Sequence, residues 1–85
     1  MPEISRFLGI AIAMYYDDHE APHFHAFYGE HSVSVEVNSA IVHGTFPPRA
    51  LGHVLEWAAL HRTELLANWQ RARGGKPLER IAPLE

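Results

Sequence analysis

Two different periods meet at Pro47-Pro48, and that single change constrains the fold more than any other feature of the chain. Before it, apolar and polar residues alternate with period two, as in half-buried β-strands. After it, apolar residues recur at steps of three and four, as on one face of a helix. A chain that switches once in this way is α+β, a sheet made first and a helix laid against it. No internal repeat, low-complexity run or linker interrupts it, so residues 1–85 read as a single domain.

The alternating half predicts an antiparallel four-stranded meander, with strands near 4–16, 23–28, 32–37 and 40–46. In the first, Leu8, Ile10, Ile12, Met14 and Tyr16 share one face and Phe7, Gly9, Ala11, Ala13 and Tyr15 the other. A row of small residues invites close packing, with the helix as one candidate. Gly29-Glu30 suits a two-residue hairpin turn with Gly first, and Asn38-Ser39 suits a second tight turn. Those turns fix a register: His23 opposite Glu36, Phe24 opposite Val35, His25 opposite Ser34, then Ser34 opposite His43 and Val35 opposite Val42. It keeps the apolar residues on one face, and a one-residue slip would mix the faces.

The second half predicts one long helix near 48–73. Prolines at its start need no amide partner, and Gly74-Gly75 with Pro77 end it. Leu51, Leu55, Ala58, Leu65, Trp69 and Ala72 form its apolar stripe. His61 and Arg62 interrupt that stripe, a place for a kink. A short extended tail follows, able to wrap the core through Leu78 and Ile81.

Hydrophobic residues make up 47% of the chain and charged ones 20%, a folding mixture rather than a disordered one. Without cysteine there is no disulfide, thiolate metal site or cysteine nucleophile. A domain of this size buries only about 60–65% of its unfolded surface, so added burial in a homodimer or with a partner is expected. The apolar stretch from Phe7 to Tyr16 is too short to span a bilayer and lacks the basic start of a secretory signal, so a cytoplasmic protein with no membrane association is expected. The net charge of −3 argues against a general nucleic-acid coat. Yet four of the seven cations, Arg71, Arg73, Lys76 and Arg80, lie from residue 71 onward. They either oppose a helix macrodipole or form a phosphate-contacting tail.

The chemistry-bearing residues cluster near the middle. The register puts His23, His25, Ser34, Glu36 and His43 on one sheet face. Three readings compete. His23 and His25 with Glu36, or with Asp18, can ligate a divalent metal such as Zn. Alternatively His23, His25 and His43 can act as acid and base in RNA cleavage, with Tyr15, Tyr16 or Tyr28 stacking on a base and Arg6 or Arg49 holding phosphate. In the plainest reading they are a cross-strand set on a half-exposed sheet, with His19 and the aspartates beside it belonging to a loop. On the helix, Trp57 and Trp69 supply large apolar area for core or interface, and with His61 they form a candidate partner surface.

Two stretches carry a resemblance: "MPEISRF-GI-I-MYY-DH--PHFHA-YGE" and "P-RAL--VLEWA-LHR-EL---W--A--G-PL--I-PL". Together they resemble the domain-of-unknown-function family DUF4160 of small bacterial proteins over nearly the whole chain. The signature falls on Pro2, Ile4, Ser5, Phe7, Gly9, Tyr15, His19, Pro22, His23, Phe24, His25, Tyr28 and Gly29, and on Leu55, Glu56, Trp57, Leu60, His61 and Trp69. The resemblance implies a protein often encoded beside a second small protein, as in toxin–antitoxin or regulatory pairs. It therefore implies association with a cognate small protein more than it implies an enzyme. A histidine-dependent RNase or phosphodiesterase is the alternative, and a DNA-binding autoregulator using the cationic C-terminus the second.

Overall fold

The computed structural model of the chain describes residues 3–16 and 20–84. Five strands, Glu3–Phe7 (β1), Ile10–Ala13 (β2), His23–Tyr28 (β3), His31–Glu36 (β4) and Val42–Thr45 (β5), form one sheet in chain order. Every neighbouring pair is antiparallel. Two helices follow, Pro48–Leu60 (α1) and Arg62–Arg73 (α2). The α+β meander is as expected, but the sheet has five strands instead of four and the helix is two helices.

The extra strand comes from a hairpin inside the expected first one. Leu8 and Gly9 take φ of 51° and 77°, reversing the chain so that Phe7 pairs with Ile10. Turns with both central residues at positive φ favour Asn-Gly or Asp-Gly. Leucine gives no such signal, and holding it there costs about 1–2 kcal/mol. Ile10, Ile12 and Met14 face the core as their alternation predicts. The reversal brings Phe7 in with them and leaves Leu8 on the surface, 56% exposed. A bulge between Glu3 and Ser5 buries Ile4 and Ser5 side by side.

The register of β3, β4 and β5 is the one the turns dictate, from His23–Glu36 to Tyr28–His31 and from Val35–Val42 to Ser32–Thr45. Gly29 supplies the positive φ, 58°, at the first turn. The second turn is wider than Asn38-Ser39, with Ala40 at φ 62° and its amide donating to the Glu36 carbonyl, but the pairing is the same.

One face of the sheet makes the core. Phe7, Ile10, Ile12, Phe24, Ala26, Val33 and Val35 are buried there under the helices. Trp57, fully buried, sits against Phe7 and Phe24 at ring separations of 5.4 and 5.7 Å. Burying about 200 Å² of tryptophan contributes about 5 kcal/mol before entropy is counted. That large side chain sets the rotation of α1. Ala50, Val54 and Trp57 point inward, and the expected stripe of Leu51, Leu55 and Ala58 only flanks them. The helices therefore pack on the large-residue face of the sheet. On the small-residue face, Ala11 and Ala13 instead make room for their β3 partners Phe27 and His25.

His61, at φ −118° and ψ 24°, separates the helices. It is the polar residue at the point where the inward face runs from Trp57 to Leu65, and its ring bonds the Glu64 carboxylate. A half-buried imidazole cannot fill that position as a leucine would, and the backbone leaves helical geometry there.

The tail after α2 closes the molecule. Asn68, 2% exposed, donates to the Glu79 carbonyl at 2.8 Å and accepts from the Glu79 amide at 2.9 Å. The Trp57 indole donates to the Ala82 carbonyl at 2.8 Å. The Ile81 amide donates to the Ile4 carbonyl at 2.8 Å, so the tail covers part of the β1 edge. Ile81 enters the core and Leu78 packs against it. No helix among the described residues is long and apolar enough to cross a membrane.

Candidate functional site

The face turned away from the core is built by alternation. Because Phe24 and Ala26 point inward, His23, His25 and Phe27 point outward along β3. Pairing sets Ala13 and Ser34 on either side of His25, with His43 beyond Ser34. His25 and His43 are therefore two strand spacings apart, roughly 10 Å between backbones.

His25 lies at the centre. Its ring meets Tyr15 edge-on at 5.0 Å and His23 edge-on at 5.2 Å, and lies nearly parallel to Phe27 at 6.4 Å. Partial burial pushes its pKa below the usual 6.5, and the neighbouring His23 adds to that; Glu20 pulls weakly the other way. At neutral pH it is an uncharged imidazole able to accept a proton.

His23 is buried, 7% exposed, with its ring 5.1 Å from Trp69. Its Nδ1 donates to the Ala21 carbonyl at 2.9 Å. Glu36, opposite His23, accepts from the Ser39 hydroxyl at 3.1 Å and His43 Nε2 at 3.0 Å. These bonds, His43 first, hold its carboxyl below the usual 4.5.

The structure thus brings together the residues proposed for acid–base work and for metal binding, His23, His25, Glu36 and His43, on one face. Within that face they form two linked pairs, His23 with His25 and Glu36 with His43. Among the described residues no three His, Asp or Glu side chains are arranged to hold a metal ion. Asp17, Asp18 and His19 lie outside the described residues. Tyr15 and Phe27 complete the surface. Phe27 continues the His23, His25 alternation by one step, a signal present in the strand pattern, whereas Tyr15 beside His25 depends on how β2 pairs with β3.

The other candidates are dispersed. Trp57 and Trp69, at 0% and 4% exposure, are core residues and offer no surface for a partner. Between core and interface, their size decides for the core. His61 is half-buried at the helix junction. Of the four C-terminal cations, Arg71 pairs with Glu79 at 3.4 Å and Arg80 with Glu3 at 3.2 Å. Arg6 also pairs with Glu3, at 2.8 Å. Arg49 lies at the start of α1, on the other side of the sheet from His25.

Residues 9–70 match a family described as a domain of unknown function, DUF4160. No curated protein and no solved structure matches the chain.

Proposed function

Because the chain belongs to the DUF4160 family, we propose that it works by association, as one component of a toxin–antitoxin-like or regulatory pair, docking a cognate small protein on the open face of its sheet. The observation that carries this reading is the Tyr15–His25–Phe27 surface. The three rings stand on the outer face beside the small residues Ala11, Ser32 and Ser34, past the His23 end where Trp69 of α2 packs. Aromatic side chains flanked by small ones suit a partner's protruding side chains, and aromatics dominate interface energetics. A domain of this size also gains from burial that it cannot supply alone.

Co-expression with the product of the adjacent gene tests the reading. The two proteins should co-elute, and Phe27→Glu, on an exposed face, should abolish co-elution while leaving the circular dichroism spectrum intact. Absence of a complex at micromolar concentrations sinks it.

A second reading, histidine-dependent RNA hydrolysis, is favoured by one observation, the neutral His25 packed beside Tyr15 and His23. It requires that purified protein cleave RNA and that the His23→Ala/His25→Ala double variant not do so. Loss of cleavage in EDTA would point to a divalent metal such as Zn.

A further inference from the structure

We infer a second binding site, a cleft at the end of the sheet on its helix side, that takes an acidic protein segment bearing a bulky apolar side chain. The cleft holds about 300 Å³ and is walled by Leu8, Ile10 and Tyr28 on one side and by Arg49 and His53 of α1 on the other. It forms where the Leu8-Gly9 turn and the end of β3 meet the first turns of α1.

Its two walls differ in chemistry. The sheet wall is apolar, and its rim is open: Leu8 is 56% exposed and Tyr28 38% exposed. Tyr28 is braced by Phe46 at 6.0 Å and by close approach to Gly9, where a Cβ would come within 3.3 Å of its ring. It is therefore held in place without being covered. The helix wall carries one cation, Arg49. No carboxylate is among the residues lining the cleft, and among the described residues Arg49 makes no ion pair, as is true of Arg62, Arg73 and Lys76. The first turn of α1 carries no acidic residue either. A ligand complementary to both walls has a carboxylate for Arg49 and an apolar group for Leu8 and Tyr28.

The volume is at the lower end of what encloses a small molecule, and the exposed rim would leave such a ligand half in water. A protein segment instead covers the rim as well as filling the cleft. Tyrosine and arginine are the residue types that contribute most in such contacts. Leu8 is unfavourable for its turn and unfavourable as exposed surface, and a docked apolar side chain would remove the second penalty. The cleft opens on the helix side and the Tyr15–His25–Phe27 surface on the other, so this inference stands whether or not the partner reading holds.

The test uses a fluorescein-labelled pentapeptide with leucine at its centre and glutamate at the other four positions. Its anisotropy should rise saturably with protein, and its binding should shift the amide resonances of Leu8, Tyr28 and Arg49 rather than those of His25 and Phe27. Arg49→Glu should weaken binding by about tenfold or more, as loss and reversal of a contacting charge does. Leu8→Asn is the decisive variant. It suits the turn, so it should raise the melting temperature and still weaken binding severalfold. Three results overturn the inference: equal binding by these variants, equal binding of a peptide with serine in place of leucine, and shifts confined to the histidine face. Equal occupancy by acetate alone also overturns it, since the cleft would then be a simple anion site.

Discussion

Ser5 is the residue whose energetics stand most apart from the rest. Its hydroxyl is buried beside Ile4 and has no hydrogen-bond partner among the described residues. An unsatisfied buried hydroxyl costs about 1–3 kcal/mol, so Ser5→Ala should stabilise the fold by about 1 kcal/mol, read as a higher urea midpoint at unchanged slope. His25 gives the site its pH dependence. Its folded pKa is lowered, so the unfolded chain binds the proton more readily. Its stabilising contribution is therefore complete above pH 6.5 and is lost as the pH falls through the lowered folded value. Glu36 has the same sign in a more acidic window, with its contribution complete above pH 4.5 and lost below it. Melting temperatures across pH 4–8 should show the first loss in the native protein and a flatter profile in His25→Gln over the histidine window.

At the scale of elements, β5 shows what an edge strand tolerates. Gly44 sits at φ 113°, and a Cβ there would lie 2.9 Å from the Ser32 carbonyl oxygen. Both the backbone angle and the clash oppose any side chain. Gly44→Ala should cost about 2 kcal/mol or more and reduce amide-exchange protection in β4 and β5 before other strands. The pairings of β3 with β4 and of β4 with β5 were readable in the sequence, because Gly29-Glu30 and the valine alternation admit only one register. The β1–β2 hairpin was not. Leu8 is a poor turn residue, and the alternation of apolar residues passes through it with little interruption. On α1 the stripe reading was off by one residue, because leucine spacing could not weigh the pull of one buried tryptophan. The break at His61 was visible as a polar gap, but a gap alone does not say whether a helix bends or continues.

For the whole molecule the tail decides integrity. Asn68 holds Glu79 by two hydrogen bonds, Trp57 holds Ala82 and Ile4 holds Ile81 by one each, and Ile81 completes the core. Asn68→Ala removes both bonds to Glu79 and leaves its backbone amide and carbonyl without that partner. It should cost about 2–3 kcal/mol and make the chain after Gly75 the first site of limited proteolysis. A tail that stays resistant in that variant would show that Ile81 and Trp57 suffice.

The sequence by itself determined the α+β class, the β3–β4–β5 register and the gathering of His23, His25, Glu36 and His43 on one face. The class follows from the single switch from period two to helical spacing, and the other two from local turn chemistry and a period of two that admits a single alignment. Tertiary structure alone decided which side of the first hairpin the helices cover, how far α1 is rotated, and that Trp57 and Trp69 belong to the core. It also placed Tyr15 against His25 and Leu8 across from Arg49. Those outcomes depend on contacts between residues far apart in the chain, where the burial of a few large side chains outweighs the preferences of their neighbours.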